Sequence, residues 1–307
     1  MTRFYTILCM LFLLAACSEK PGITKNVVDS VNFELTPLNY VDGEVATKTT
    51  ISDNGSGFSF AWAADDVLGI YPDSGSQVYF TLESTGGTTS ASFDGGGWEF
   101  KNGAKYYSYY PFIPDFYLDR TSIPVTFAGQ VQNGVSNTAH IGKYFYMCTD
   151  AVSAESGTLS FKYQNLCSIF KIKATLPAGT YTTFSLKSTE NIFIVDDASY
   201  SILSYASGFK SDKKANTISI DLQNFVLSSK QEANIYLVVP PMDLTGKTVS
   251  FVVDAADGTS YSFTATLKKA YARSTMYSFG ISSWTTNNPN PDVPIGDWED
   301  GETIDID

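Results

Sequence analysis

Short runs of alternating apolar and polar residues follow one another along almost the whole chain, and no apolar segment of helical period exceeds about ten residues. Such alternation places successive side chains on opposite faces of a strand, the pattern of half-buried β-sheet. Turn residues separate the runs, and the clearest turn is Asp257-Gly258, between runs over 249–254 and 261–267. Strands at this spacing favour β-sandwiches over βαβ units. We therefore predict an all-β fold.

The first 17 residues carry the pattern of an exported lipoprotein. An apolar run over 6–16 is too short for a membrane-spanning helix, which needs about 20 residues, but it fits a signal peptide. Leu14-Ala15-Ala16-Cys17 then resembles a lipobox, in which cleavage precedes a Cys that is acylated. We predict lipidation at Cys17 and a lipid anchor in the membrane. The alternative is an ordinary secretory signal in which this Cys is incidental.

The 307 residues suffice for two sandwiches in tandem. The turn residues Pro177-Ala178-Gly179 suggest where the first ends. The predicted organisation is a signal peptide over 1–16, a lipidated linker over 17–30, an N-terminal β-sandwich domain over 31–176, a C-terminal β-sandwich domain over 177–284 and an acidic tail over 285–307.

The last 23 residues differ from the rest, because they hold seven acids, three prolines and no basic residue. One interpretation is a disordered, solvating tail. The other is a donor strand that pairs with another sheet, since residues 303–307 alternate and three earlier side chains are apolar. The candidate donor residues are Val293, Ile295, Trp298, Ile304 and Ile306.

The net charge of −12 argues against nucleic acid as a partner and against binding to anionic lipid head groups, since like charges repel. His140 is the only histidine and lies in a polar stretch that predicts a loop, so neither a catalytic triad nor a zinc site is indicated. The paired acids Asp65-Asp66 and Asp196-Asp197 have no spacing rule that would make them a glycosidase pair. We predict no enzyme activity, no cofactor and no catalytic residue. The sequence does not decide whether a calcium site exists, and a hydrolase is the least favoured alternative function.

Cys148 and Cys167 are the two cysteines that follow the predicted anchor. Export makes a disulfide between them possible. The alternative is that both are small buried apolar side chains.

The segment over 106–112, YYSYYPF, is the densest aromatic run. Exposed rings there would stack on sugars. The favoured interpretation is that alternate tyrosines fill the core.

Six segments, taken in order, resemble the fimbrillin-like family, the subunits of the type V pili of anaerobic gut and oral bacteria. They cover nearly the whole chain after the lipobox. These segments are ATKTT at 46–50, FAWAADDVLGIY at 60–71, YYSYYPF at 106–112, LSFKYQNLCSIFKI at 159–172, YLVVPP at 236–241 and MYSF at 276–279.

The resemblance implies two tandem transthyretin-like or immunoglobulin-like sandwiches and a lipoprotein of the cell outer membrane, exposed at the surface. It also implies assembly with other fimbrial subunits, or with itself, by β-strand exchange. In that process a protease removes the first strand, here expected over 31–35, and a strand of the next subunit takes its place.

The sequence departs from the family pattern in having Asp65 where Gly is common and no Arg between Arg3 and Arg120. Lys48 therefore becomes the candidate processing site; without cleavage the first strand stays. The leading hypothesis is a fimbrial subunit or fimbria-associated lipoprotein that acts in assembly and adhesion. The alternative is a surface lipoprotein that binds a glycan or host protein outside a pilus, with Tyr109 and Trp298 as candidate contacts.

Overall fold

A computed structural model describes residues 27–31, 52–53, 58–59, 61–64, 66–88, 90–115, 118–155 and 159–287. These ranges form 24 β-strands, and the only helices among them are two short 3-10 helices, Ala139–Tyr144 and Tyr205–Ser207. None of the described helices has the length and apolar character needed to cross a membrane. The predicted all-β fold is confirmed.

Strands β1 to β12 precede residue 166. They are β1 (Val27–Val31), β2 (Ser52–Asp53), β3 (Phe58–Ser59), β4 (Val67–Pro72), β5 (Val78–Leu82), β6 (Ala91–Asp94), β7 (Lys105–Tyr110), β8 (Ile123–Val125), β9 (Gln130–Val131), β10 (Met147–Thr149), β11 (Val152–Ser153) and β12 (Tyr163–Asn165).

Strands β13 to β24 follow. They are β13 (Ser168–Leu176), β14 (Gly179–Ser188), β15 (Ala198–Tyr200), β16 (Lys210–Ser211), β17 (Thr217–Leu227), β18 (Gln231–Val239), β19 (Met242–Asp243), β20 (Thr248–Ala255), β21 (Ser260–Thr266), β22 (Ala270–Tyr271), β23 (Thr275–Ile281) and β24 (Thr285–Asn287).

An eight-stranded antiparallel sheet contains most of the early strands, in the order β1-β6-β5-β4-β7-β10-β12, with β11 also paired to β7. Residues of the segment over 60–71 contribute to its core, where Trp62 and Gly69 have packing roles, whereas Asp65 lies outside the described residues. The fully buried Trp62 meets Phe93 edge to face at 4.9 Å. A Cβ at Gly69 would overlap the ring of Tyr109, so only glycine leaves room for that side chain.

Asp66 holds this region together through its carboxylate. One oxygen accepts from the backbone N–H of Ala63 at 2.8 Å, and the other accepts from the Tyr110 hydroxyl at 2.8 Å. Burial and this carboxylate raise the pKa of Tyr110, so the phenol stays a donor. Asp66, which the sequence analysis considered as one of the paired acids Asp65-Asp66, is therefore a structural hydrogen-bond acceptor.

The later strands form a sandwich of two facing sheets. A three-stranded sheet has the order β18-β13-β23, and a six-stranded sheet has the order β24-β21-β20-β14-β17-β9. Phe251 on β20 packs against Phe279 on β23, with ring centroids 5.2 Å apart, so side chains from both sheets meet in the core. The predicted Asp257-Gly258 hairpin is confirmed as the link between the antiparallel strands β20 and β21.

Sheet pairing crosses the point where sequence analysis placed the domain boundary. β13, which precedes that point, pairs with β18 and with β23. β9 pairs in parallel with β17, and β8 pairs with β15. Early segments thus complete the later sheets, while the division into folding domains at 176/177 stays a prediction.

Candidate strand-pairing edges

We call the sandwich of the three-stranded and six-stranded sheets the C-terminal sandwich. On one of its sides, side chains occupy the place where a neighbouring strand would otherwise bind. β18 is the edge strand of the three-stranded sheet on that side, and β9 is the edge strand of the facing six-stranded sheet. Gln130 and Gln132, on and just after β9, reach across to the backbone of β18. Both glutamine side chains are buried.

The two amides bond to the β18 backbone as a strand would. Gln130 donates from Nε2 to the carbonyl oxygen of Val238 at 2.7 Å and accepts from the N–H of Val238 at 2.8 Å. Gln132 accepts from the N–H of Tyr236 at 2.9 Å and donates to the carbonyl oxygen of Asn234 at 2.9 Å. Each side-chain amide therefore imitates a peptide group of a missing strand.

Two further side chains complete this edge. The ring of His140 bonds through Nε2 to the carbonyl oxygen of Tyr236 at 2.9 Å, and the Ser136 hydroxyl accepts from the N–H of Asn234 at 3.3 Å. We call Gln130, Gln132, Ser136 and His140 the side-chain ladder. With it, every outward backbone group of β18 from residue 234 to 238 has a partner, which protects the edge against strand addition.

His140 makes the side-chain ladder sensitive to acid. Because a carbonyl only accepts, its neutral ring carries the proton on Nε2, and Nδ1 is buried with no hydrogen-bond partner among the described residues. Burial lowers the pKa of the ring below its ordinary value of 6.5, since a buried imidazolium would lack solvation. The predicted loop around His140 is instead the 3-10 helix Ala139–Tyr144.

We expect the protein to lose stability as the pH falls from 7.5 to 5.5. The unfolded chain then takes up a proton on His140 that the folded chain resists, so unfolding is favoured, by at most about 1.4 kcal/mol per pH unit. His140→Gln, which keeps a donor but does not titrate, should flatten this loss. Urea midpoints at the two pH values measure it, and equal losses in both proteins would contradict the role of His140.

The opposite side of the sandwich is open in the part of the chain that the structure describes. β23 is the edge of the three-stranded sheet there, and β24 is the edge of the six-stranded sheet. Only residues 282–284 separate these two strands, so they lie on the same side. No described strand pairs with the outer edge of either one.

The register shows which groups of β23 face outward. The backbone N–H and C=O groups of residues 234, 236 and 238 on β18 point toward the side-chain ladder, so those of its odd-numbered residues bond to β13. Peptide groups alternate along a strand, so β13 turns its odd-numbered residues toward β23. β23 in turn bonds to β13 through residues 275, 277, 279 and 281. Met276, Ser278 and Gly280 therefore point their N–H and C=O groups away from the sheet.

The outer edge of β23 is also accessible. Ser278 and Gly280, two of the residues whose backbone groups point outward, are exposed. An exposed backbone whose outward donors and acceptors have no described partner strand is the form of edge to which another strand adds.

The first described strand is an edge strand too. Among the described strands, β1 pairs only with β6, and β6 pairs with β5 on its other side. Loss of β1 would therefore expose the edge of β6, which carries the fully buried Phe93. The strand expected over 31–35 overlaps β1 only at Val31, and residues 32–35 lie outside the described residues.

Most of the sequence-predicted site residues lie outside the described residues. These are Cys17, Lys48, Val293, Ile295, Trp298, Ile304 and Ile306. Their roles stay predictions.

The two internal cysteines are buried, and both are free thiols in the structure. The Cys167 thiol donates to the carbonyl oxygen of Tyr144 at 3.3 Å. Burial raises the pKa of both thiols, which keeps them protonated and unreactive.

The aromatic segment over 106–112 does not form a binding surface. Tyr106 and Tyr110, on one face of β7, are buried as the core interpretation predicted, and Tyr109 on the opposite face is buried as well. The Tyr109 hydroxyl donates to the Gln77 side chain at 2.6 Å. Tyr109 is therefore excluded as a glycan contact. Among the described residues, no three His, Cys, Asp or Glu side chains converge in a way that could hold a metal ion.

Sequence analysis did not single out Gln130 and Gln132. The sequence indicates them only weakly, because two amides at positions i and i+2 would merely share one face of a strand. They close a sheet edge because they bond to β18, which is distant in the sequence.

No protein-family model matches the sequence, and no curated protein matches it. Among solved structures, the chain is similar to a proposed cell adhesion protein from Bacteroides ovatus, with 15% identity and a TM-score of 0.52 over 79% of this chain and 93% of that one. A proposed cell adhesion protein from Bacteroides uniformis has 17% identity and a TM-score of 0.48 over 74% and 93% of the two chains.

The tip fimbrial protein Mfa3 from Porphyromonas gingivalis, with a C-terminal truncation, has 9% identity and a TM-score of 0.39 over 73% of this chain and 94% of that one. All three neighbours are described as cell adhesion or fimbrial proteins. The likeness to the Bacteroides ovatus structure, whose TM-score exceeds 0.5, shows a shared fold.

Proposed function

We propose that this protein is a fimbrial subunit or a fimbria-associated lipoprotein of the fimbrillin-like family, and that it joins other subunits by pairing β-strands. The fold that it shares with the Bacteroides ovatus protein supports this role. In this proposal the protein has no catalytic activity.

The observation that carries the proposal is the difference between the two sides of the C-terminal sandwich. The side-chain ladder satisfies the β18 edge, so a strand gains nothing by adding there. The β23 edge offers the outward groups of Met276, Ser278 and Gly280 instead. An incoming strand would find backbone partners at only one of these two edges.

The tail is the proposed donor. It follows β24, whose three residues are all exposed at the open side. Val293, Ile295 and Trp298, and then Ile304 and Ile306, supply apolar side chains that a donated strand would bury. The tail of a neighbouring copy, rather than a soluble partner, is the occupant we favour.

The N-terminal region is proposed to place the protein at the cell surface. Acyl chains on Cys17 would anchor it in the outer membrane, because each buried CH₂ contributes about 0.8 kcal/mol to membrane binding. Cleavage after Lys48 would separate the whole of β1 (Val27–Val31) from the rest of the chain and vacate the β6 edge. N-terminal sequencing of surface protein distinguishes an acylated Cys17 from a new terminus at Thr49.

A peptide-binding experiment tests the β23 edge. We expect a labelled peptide of residues 288–307 to bind the chain truncated after Asn287. Ser278→Pro and Gly280→Pro each remove one outward N–H, which edge strands tolerate, and should weaken binding about tenfold or more. Fluorescence anisotropy measures the affinity.

Ser278→Ala is the matched control, because it keeps the N–H and should bind as the parent chain does. Thermal melts show whether each proline variant remains folded. If the peptide binds none of the chains, the tail is not the donor. If its affinity is unchanged by both Ser278→Pro and Gly280→Pro, the β23 edge is not the acceptor.

The alternative function is a surface lipoprotein that binds a glycan or host protein outside a fimbria. The partly exposed Trp98 beside a cavity favours a glycan as ligand. Surface protein that keeps its acylated Cys17, and that is absent from the fimbrial fraction of its own cells, would support this alternative.

A further inference from the structure

A cavity of about 340 Å³ lies at one end of the eight-stranded sheet, between the β4–β5 turn and the connection from β6 to β7. Asp73 and Ser74 line it from the turn, while Trp98, Glu99 and Lys101 line it from the connection. The Trp98 side chain is 37% exposed, which is unusual for an indole in a chain whose other aromatic residues mostly lie in the core. The cavity thus brings a partly exposed indole together with several charged and polar groups.

The connection that carries Trp98 is fixed on both sides of the indole. Before it, the N–H of Gly96 donates to the Asp94 carboxylate at 3.0 Å. After it, the buried Phe100 stacks on Phe80 with centroids 5.5 Å apart. The backbone that carries Trp98 is therefore held between two anchors, which lowers the entropy lost on binding.

The opposite wall is held as well. The N–H of Asp73 donates to the carbonyl oxygen of Lys105 at 3.0 Å, which ties the β4–β5 turn to the first residue of β7. On the other side, the backbone N–H of Lys101 donates to the hydroxyl of Tyr106 at 2.8 Å. Both walls are thus attached to β7, so the cavity is largely formed before any ligand arrives.

From this lining we infer that the cavity binds an uncharged sugar unit of a glycan. The indole of Trp98 offers a flat apolar face to the C–H groups of a pyranose ring. Sugar hydroxyls both donate and accept, and the cavity offers both complements: Asp73 and Glu99 accept, Lys101 donates, and Ser74 does either. The volume lies near the lower end of the range for ligand pockets, about 300–1,000 Å³.

Charge selects against other small ligands. An anion would lie next to the two carboxylates, and a cation would lie next to the ammonium group of Lys101. A neutral polyol avoids both repulsions. This inference goes beyond strand pairing and does not rest on it, because the cavity and the β23 edge belong to different sheets.

An array that carries neutral hexoses, N-acetylhexosamines, fucosides and sialosides tests the site with the full mature chain. We expect binding to neutral sugars, and Trp98→Ala should reduce the affinity for the best of them about tenfold or more. Trp98→Phe, which keeps an aromatic face, should lose less. Asp73→Asn and Glu99→Gln should each weaken binding by a smaller factor, since an amide oxygen still accepts.

Tyr79→Ala is the matched control, because Tyr79 is 52% exposed and does not line the cavity; its binding should equal that of the unaltered chain. Circular dichroism verifies that every variant is folded. Absence of binding to all sugars, binding confined to sialosides, or unchanged binding by a folded Trp98→Ala variant would each overturn the inference. Loss of tail-peptide binding would leave it unaffected.

Discussion

Replacing Gln130 and Gln132 together by leucine is expected to lower the free energy of unfolding by about 4–6 kcal/mol. The change leaves four backbone groups of β18 without partners: the N–H groups of Tyr236 and Val238 and the carbonyl groups of Asn234 and Val238. A buried backbone group without a partner costs about 1–3 kcal/mol, and leucine offers none. Urea denaturation of the mature chain measures the loss.

The same variant should also associate with itself. Without the side-chain ladder, β18 becomes an open edge next to a large apolar core, and open edges pair with other chains. Sedimentation velocity at increasing concentration should detect oligomers that the parent chain, with its tail removed, does not form.

Gln231→Leu is the control for this variant. Gln231 begins the same strand but is exposed, so its replacement should change stability by no more than about 0.5 kcal/mol. A double leucine variant that is as stable and as monomeric as this control would show that the side-chain ladder does not protect the edge.

Trp62→Ala is expected to destabilise the protein by about 3–5 kcal/mol, because it removes the largest fully buried side chain near the start of the eight-stranded sheet. The indole meets Phe93, Tyr110 and Tyr163 edge to face, with centroids 4.9, 5.6 and 6.2 Å away. These rings cannot close the cavity that alanine leaves without moving three strands. Calorimetry or urea denaturation measures the change.

Trp98→Ala provides the comparison for Trp62→Ala. It deletes the same side chain from a partly exposed position, so it should cost clearly less than Trp62→Ala, which removes a fully buried one. Equal losses for the two variants would mean that the burial of Trp62 does not set the stability of this part of the sheet. The pair also separates stability from sugar binding, which only Trp98 is expected to affect.

Local sequence patterns were sufficient for the β-structure and for much of the core. The Asp257-Gly258 hairpin follows from a turn between two alternating runs, and β20 and β21 pair there as predicted. The burial of Tyr106 and Tyr110, which share one face of β7, likewise follows from alternation, whereas the burial of Tyr109 on the opposite face does not. Such predictions succeed because the period of a strand and the chemistry of a turn depend on neighbouring residues.

The strand edges could not be predicted in this way. Gln130 bonds to Val238, 108 residues away, and nothing near Gln130 indicates that β18 would lie beside it. β9, β13 and β23 likewise find their partners across long sequence separations. Alternation tells which face of a strand is buried, but the hydrogen-bonding neighbour of that strand depends on the order of strands in the sheet.

By itself, the sequence determined that the chain forms β-sheets, where many strands lie and which rings fill their core, because each of these follows from local periodicity. Only the tertiary structure decided which sheet edges are closed by side chains and which have no partner among the described strands, and that Trp98 stands beside a cavity. Those properties arise between segments that are distant in the chain, and their energies come from backbone and side-chain groups that meet only after folding.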